Sequence, residues 1–292
     1  MKRDLRRVLP LLHTLVEERV GERRFPTSHP ALHEPAVLNA AHRRRRALRL
    51  AALCVALLPA GPAVLGAPPR ELTPALIAAE KVYDTARACY QTNAADSLTA
   101  WHFARACFDR ADLAASDADR AAVARQGIKV CRRLLARAPD LAAAHYYLAM
   151  NLGQLARTKK LRALSLVKEM EREWESARVL DEHFDFAGPD RNLGLLLRDA
   201  PPFPVSIGSR LKAQQHMQRA VELNPDYPEN YLNLIETQLQ RKQWEAAAAE
   251  DKKLRAILPA ARKKFSGPQW QEAWEDWDKR QQKILGRLPA AP

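Results

Sequence analysis

Prolines set at a helical-repeat spacing constrain this chain more than any other feature. Pro225-Asp226 follows Ala-Val-Glu-Leu-Asn, Pro259 follows Leu-Arg-Ala-Ile-Leu, and 34 residues separate the two prolines. Pro139-Asp140 follows Leu-Leu-Ala-Arg-Ala in the same manner. Proline lacks an amide hydrogen and pushes the preceding residue out of the helical region, so each mark is expected to close one helix before the next begins. Twelve residues before each proline stands a small residue, Gly127, Ala213 or Ala247, and five before it stands Leu134, Ala220 or Leu254. A small side chain at the first of these positions lets one helix of a pair press closely on the other.

Between the prolines the apolar residues recur at helical intervals. Thr73-Pro74 supplies a cap and a first-turn proline, and the stripe Leu76, Ala79, Tyr83, Ala86, Tyr90 follows. A second helix is expected from about Ser97, striped at Trp101, Ala104 and Phe108, with further helical segments near 118–138, 141–156, 161–183, 189–198, 206–223, 228–240, 243–258 and 267–286, and none shows strand-type alternation. The chain has 20 prolines against 10 glycines, a balance that disfavours the tight turns and phosphate loops of β and α/β folds. A period of 34 residues is that of the tetratricopeptide repeat (TPR), whose pairs bury a continuous core only by stacking. Leu148-Ala149 with Leu152, and Leu193-Gly194 with Leu197, give the large-small-large arrangement of the first helix of such a pair; Leu234-Ile235 is a looser copy. The expected fold is all-α: a right-handed helical-repeat solenoid of about four TPR-like helix pairs, with a preceding and a C-terminal helix as caps.

The first 67 residues read differently. They carry 12 Lys/Arg against 5 Asp/Glu, whereas residues 68–292 carry 35 against 29. Arg43 to Arg46 and Arg49 precede an apolar run from Leu50 to Leu65, then Gly66-Ala67-Pro68-Pro69. That is the layout of a secretory signal. Residues 43–67 are therefore assigned as a signal peptide or membrane anchor, with cleavage expected between Gly66 and Ala67. Residues 1–42 form a basic extension, disordered or ahead of the true start, and 68–292 form the repeat domain. The expected location is outside the cytoplasm, in the periplasm, with a membrane-anchored or cytosolic scaffold as alternatives. Membrane contact is expected only through 43–67, if uncleaved. The rest of the excess charge is spread over mixed-sign helix faces, which argues against nucleic acid.

Ala187-Gly-Pro-Asp-Arg191, then Leu193-Gly194, a Pro-rich insertion ending Ile207-Gly208-Ser209, and a helix ending Ala220-Val-Glu-Leu-Asn-Pro225 form a longer pattern. Over about residues 75–260 the chain resembles the T-component family of TRAP transporters. The resemblance implies a periplasmic helical-repeat partner of an extracytoplasmic solute-binding protein, with an apolar ligand passed between them. The chain departs from that family in lacking a clear lipoprotein cysteine.

Repeat stacks bind along the concave face, lined by the first helix of each pair. That face should present Tyr146, Met150 and Gln154, then Arg191, Leu195 and Arg198, then Leu232, Glu236 and Gln240. Arginines beside apolar residues suit a protein partner's acidic segment or an amphipathic carboxylate, because the guanidinium fork matches a carboxylate. The alternative is that these are ordinary core or solvated residues. Asp190 is expected to cap a helix start and Arg191 to hold a neighbouring loop. Trp270, Trp274 and Trp277, at i, i+4, i+7, are expected to lay the last helix over the final repeat rather than to face a partner. The run Asp181-Glu182-His183-Phe184-Asp185 lacks a second histidine at helical spacing, so no metal is assigned. No phosphate loop, nucleophile elbow or zinc-protease motif occurs in the sequence, and neither a catalytic residue nor a cofactor is assigned. Cys89, Cys107 and Cys131 are read as packing residues.

Overall fold

The structure, a computed structural model, describes residues 74–159 and 163–288. The expectations for residues 1–42 and 43–67, the cleavage point included, lie outside the described residues. Among the described residues, ten α-helices follow one another: α1 (Pro74–Thr92), α2 (Ser97–Asp112), α3 (Asp117–Leu135), α4 (Ala142–Arg157), α5 (Ala163–Leu180), α6 (Phe184–Asp199), α7 (Arg210–Leu223), α8 (Pro228–Gln240), α9 (Trp244–Lys264) and α10 (Gln271–Leu285). A 3₁₀ turn, Pro268–Trp270, leads into α10.

Local chemistry sets several of the starts. Asp96 accepts a hydrogen bond from the Thr99 amide at 2.8 Å before α2, and Ser116 accepts one from the Asp119 amide at 3.1 Å before α3. Ser209 does the same for the Lys212 amide ahead of α7. Each bond satisfies one of the free N–H groups of a first turn. Pro228 opens α8, where a missing N–H costs nothing.

Successive helices pack as pairs: α2 with α3, α4 with α5, α6 with α7, α8 with α9. The first helices of these pairs also touch in order, α2 to α4 to α6 to α8, and α10 closes on α8. The all-α stack with a helix at either end is therefore the observed architecture, and α2, α4, α6, α8 and α10 form its inner layer.

The small residues do what their spacing predicts. A Cβ on Gly194 would meet Cγ of Met217 at 2.7 Å and the Ala213 carbonyl at 3.1 Å, so α7 lies hard against α6. A Cβ on Gly127 would enter the side-chain amide of Asn151 on α4. That amide is itself fixed, donating to the Ala104 carbonyl at 2.9 Å and the Tyr147 carbonyl at 2.8 Å.

One mark reads wrongly. Pro259 does not end a helix but sits inside α9, which runs on to Lys264. An interior proline costs about 3 kcal/mol through its lost hydrogen bond and ring clash. The continuation buries Ala261 and brings Phe265 into an aromatic core, each 2 % exposed, and that packing outweighs the local cost. The tryptophans of the 3₁₀ turn and the last helix behave as a cap: Trp270 and Trp277 are buried, and Trp274 donates from Nε1 to the Phe265 carbonyl at 2.6 Å under the Arg262 guanidinium.

Candidate functional site

The inner layer carries the residues the sequence points to, and three of them gather around a left-handed turn. Asp185, Phe186 and Ala187 have φ of 52°, 54° and 61°, so the right-handed part of α6 begins only at Gly188. Three non-glycine residues in this region cost about 1–2 kcal/mol each, and they persist only where the surroundings hold them.

Arg191 does the holding. Its side chain is fully buried, one turn into α6. Nη2 donates to the Asp185 carbonyl at 3.0 Å and to Asp185 Oδ2 at 2.9 Å, and Nη1 donates to the Phe186 carbonyl at 3.0 Å. From α8, Asn230 Oδ1 accepts from Nη1 at 3.2 Å, and Glu229 Oε1 lies 3.3 Å from Nε. Asn230 also donates to the Phe186 carbonyl at 3.1 Å and to the Ala220 carbonyl at 2.9 Å. The Tyr227 ring lies under the guanidinium at 5.2 Å and stacks on Phe186 at 4.6 Å. The expectation that Arg191 holds a neighbouring loop describes this arrangement; the carboxylates it meets are the chain's own.

The network reaches α4 through Tyr146, whose hydroxyl donates to Asp185 Oδ2 and accepts from Asn192 Nδ2 at 2.9 Å. Asn192 also donates to the Met150 sulfur at 3.5 Å. Tyr146, Met150 and Arg191 therefore belong to one buried cluster, completed by Asn192, Asp185, Asn230 and Glu229. Gly188 is required there, because a Cβ would come within 2.7 Å of the Tyr146 hydroxyl and 2.8 Å of Asp185 Oδ2.

The other expected residues separate into distinct groups. Gln154, 1 % exposed, donates to Asp112 Oδ1 at 2.9 Å, and Arg157 reaches the same oxygen at 2.9 Å. Leu195 packs with Met217 and Leu234, while Leu232 belongs to the aromatic core of α8–α10. Arg198 pairs with its neighbour Asp199 at 2.6 Å. Glu236 takes two bonds from Arg280 of α10, both at 2.8 Å, and Gln240 is exposed at the end of α8. Asp190 makes no cap: its Oδ1 meets His216 Nδ1 of α7 at 2.7 Å, so it ties the two helices of a pair. Asp181, Glu182 and Asp185 serve three different partners: the His183 amide, Arg219, and the Arg191–Tyr146 cluster.

Sequence reasoning misses Asn192, Glu229, Asn230 and Arg280, and weighs Asp185 only as a metal ligand. Their one outward signal is density of polar residues on apolar helices, which does not tell a solvated face from a buried network. Nearby, Arg105 sits 3.8 Å from Asp109. Burial works against its charge, but Tyr147, Asp109 and Asp185 outweigh it and raise its pKa, so it stays cationic. Burial pushes the thiols of Cys107 and Cys131 up, which keeps them protonated and suits packing.

The chain is similar to two kinds of known protein. Residues 74–182 match the family model described as regulator of microtubule dynamics protein 1-3. The fold matches the crystal structure of a thermophilic TPR protein from Thermus thermophilus with a TM-score of 0.53 and 17 % identity, covering 72 % of this chain and 92 % of that one. No curated protein matches by sequence. The protein is thus a TPR-like helical-repeat protein, and neither match adds support to the transporter resemblance.

Proposed function

We propose that this chain is a non-catalytic scaffold that binds a protein partner along its inner layer. The observation that carries the reading is the continuous layer of α2, α4, α6, α8 and α10, locked across three helices by the Arg191 network. A surface held so firmly keeps its side chains in place before a partner arrives, which reduces the ordering cost of binding. Asp109, Glu236 and Gln240 supply polar groups at its accessible margin.

The basic and apolar front end supports an exported, periplasmic or membrane-anchored protein. The pattern from Ala187 to Pro225 supports a solute-binding protein as partner, with an apolar or carboxylate ligand between them. The family match over residues 74–182 favours a second reading, in which the partner is a microtubule or a microtubule-bound protein.

Photo-crosslinkers at Gln240 and Asp109 on the inner layer, and at Lys129 on the outer face of α3, test the scaffold reading in native cells. One protein captured from both inner positions and not from Lys129 is the expected result. Capture from Lys129 alone, or different proteins at every position, overturns it. The identity of the captured protein separates a solute-binding partner from a cytoskeletal one.

A further inference from the structure

Alternation of helices places the turns within pairs on one edge of the stack, among them 113–116, 200–209 and 241–243. The turns between pairs lie on the opposite edge. The longest of these three within-pair turns is the Pro-rich insertion, and its base is firmly built. Gly208 N donates to the Pro201 carbonyl and Ser209 N to the Leu197 carbonyl, both at 2.9 Å. Val205 N donates to the Pro202 carbonyl at 3.0 Å, closing the tip on itself. Pro201 and Ser206 are buried, Ile207 packs on the core, and a Cβ on Gly208 would collide with the Ala200 carbonyl.

This anchored base thrusts apolar side chains into solvent. Phe203 is 87 % exposed, Val205 45 % and, at the start of α7, Leu211 63 %. Trp244, at the start of α9, is 39 % exposed on the same edge. Arg241 donates to Gln214, tying the 241–243 turn to the first half of α7. Single exposed apolar residues are normal, but large ones gathered on one edge mark an interaction surface.

Charge indicates what that surface meets. Arg210, Lys212 and Lys242 are exposed beside these residues and have no ion-pair partner among the described residues; Glu245, next to Trp244, is the nearby exposed carboxylate. The opposite edge also exposes an apolar pair, Val179 at 72 % and Leu180 at 40 %, but these precede Asp181 and Glu182. The cations of the first edge adjoin its apolar tip unpaired among the described residues, whereas beside Val179 and Leu180 the arginines Arg178 and Arg219 already pair with Glu175 and Glu182. No helix among the described residues is long and apolar enough to cross a membrane, so contact through this edge is peripheral.

We propose that the 200–212 edge docks on an anionic lipid bilayer. Phe203, Val205 and Leu211 enter the headgroup–acyl boundary, Trp244 lies at headgroup level, and Arg210, Lys212 and Lys242 meet lipid phosphates. A bilayer suits the edge better than a protein groove, because a protruding tip ringed by unpaired cations has the form of an interfacial anchor.

The test uses the full chain with a local reporter, so that insertion by the front end cannot stand in for docking. Phe203→Cys, in a chain carrying Cys54→Ser and Cys89→Ser, is labelled with an environment-sensitive fluorophore; Cys107 and Cys131 are fully buried. Val179→Cys in the same background is the control. Vesicles of phosphatidylcholine with about one-third phosphatidylserine should blue-shift the label at 203 and not at 179, with quenching by spin-labelled acyl chains. Arg210→Glu with Lys212→Glu should abolish the shift. In the labelled chain, Leu211→Ser should raise the lipid concentration that gives half of the shift at 203 by about tenfold. A silent label at 203 on vesicles that do bind the chain overturns the proposal, as does an equal shift on pure phosphatidylcholine. A shift that grows with protein concentration in lipid-free buffer overturns it in favour of a second copy of the chain.

Discussion

The two ends of the stack are packed with small residues and rings in different proportions. From α2 to α6 the rings of Phe103, Phe108, Tyr146, Tyr147 and Trp174 are interleaved with small residues: Ala100, Ala104, Ala111, Ala124, Ala144 and Ala149 are nearly fully buried, and Gly127 brings α3 onto α4. From α8 to α10 the core is built on rings. Tyr227, Phe265, Trp270 and Trp277 meet edge to face or tilted at 4.9–6.3 Å. Small residues let backbones approach, so the first region is sensitive to anything added; rings fill a wider gap, so the second is sensitive to anything removed. Arg191 and its partners lie where the two regions meet, and they tie one packing mode to the other.

The largest effect should come from that junction. Arg191→Met keeps much of the volume but leaves Asp185 and Glu229 buried without their cation, and it releases the carbonyls of the left-handed turn. Breaking a buried pair from one side costs about 3–5 kcal/mol, and denaturant unfolding should show that loss. Loss of a single shared transition would mean that the two regions now unfold apart. A loss under about 1 kcal/mol would mean the turn holds itself.

Trp277→Ala should come next. Removing a buried tryptophan costs about 3–5 kcal/mol, and the lower part of that range is expected, because a terminal helix can settle partly into the space. The effect should appear in the unfolding of α8–α10 while amide exchange in α2–α4 stays slow. Equal loss of protection in both regions would sink the idea of separately packed cores.

Gly127→Ala tests the first region by addition. The new methyl enters the Asn151 amide, which two hydrogen bonds prevent from turning aside. Overpacking of this kind costs about 1–3 kcal/mol, against the gain of up to about 1 kcal/mol that the same change brings in an unconstrained helix. A stabilised variant on thermal melting would show that α3 and α4 are not in close contact there.

How much of this is legible in the sequence differs between the two regions. The repeat of prolines and small residues discloses the pairs, because close approach demands the same residue type at the same offset each time. Pro259 misleads because the packing of Ala261 and Phe265 overrides a local rule. The left-handed turn is hidden for another reason: Phe186 and Ala187 are not residues that choose that conformation, and side chains from α4, α6 and α8 impose it. Gly188-Pro189 marks the place without revealing the shape. Of the nine inner-layer residues, the spacing sets Tyr146 and Met150 with Gln154, and Arg191 with Leu195 and Arg198; it does not disclose that Tyr146, Met150 and Arg191 share one network, or that Leu195 and Leu232 belong to the core. Periodicity reports a face, not how deeply a neighbouring helix covers it.

The smallest effect is also confined to one region. His145 on α4 sits between Glu173 Oε2 of α5 at 2.7 Å from Nδ1 and the Pro139 carbonyl at 2.8 Å from Nε2. Two acceptors on two ring nitrogens are fully satisfied only by the imidazolium. The bond to Glu173 raises the His145 pKa above its ordinary value, burial opposes the rise, and the Pro139 carbonyl adds to it. A folded pKa above the unfolded one gives stability that is complete below about pH 6.5 and is lost as pH rises through the folded value. Partial exposure to solvent keeps that contribution below about 1 kcal/mol. His145→Gln should therefore lower the melting temperature most at acid pH, and the gap from the parent chain should close as the solution becomes alkaline. A gap that stays constant with pH would show that His145 contributes only its shape, and that the α2–α6 region holds no titrating tie between α4 and α5 at this position.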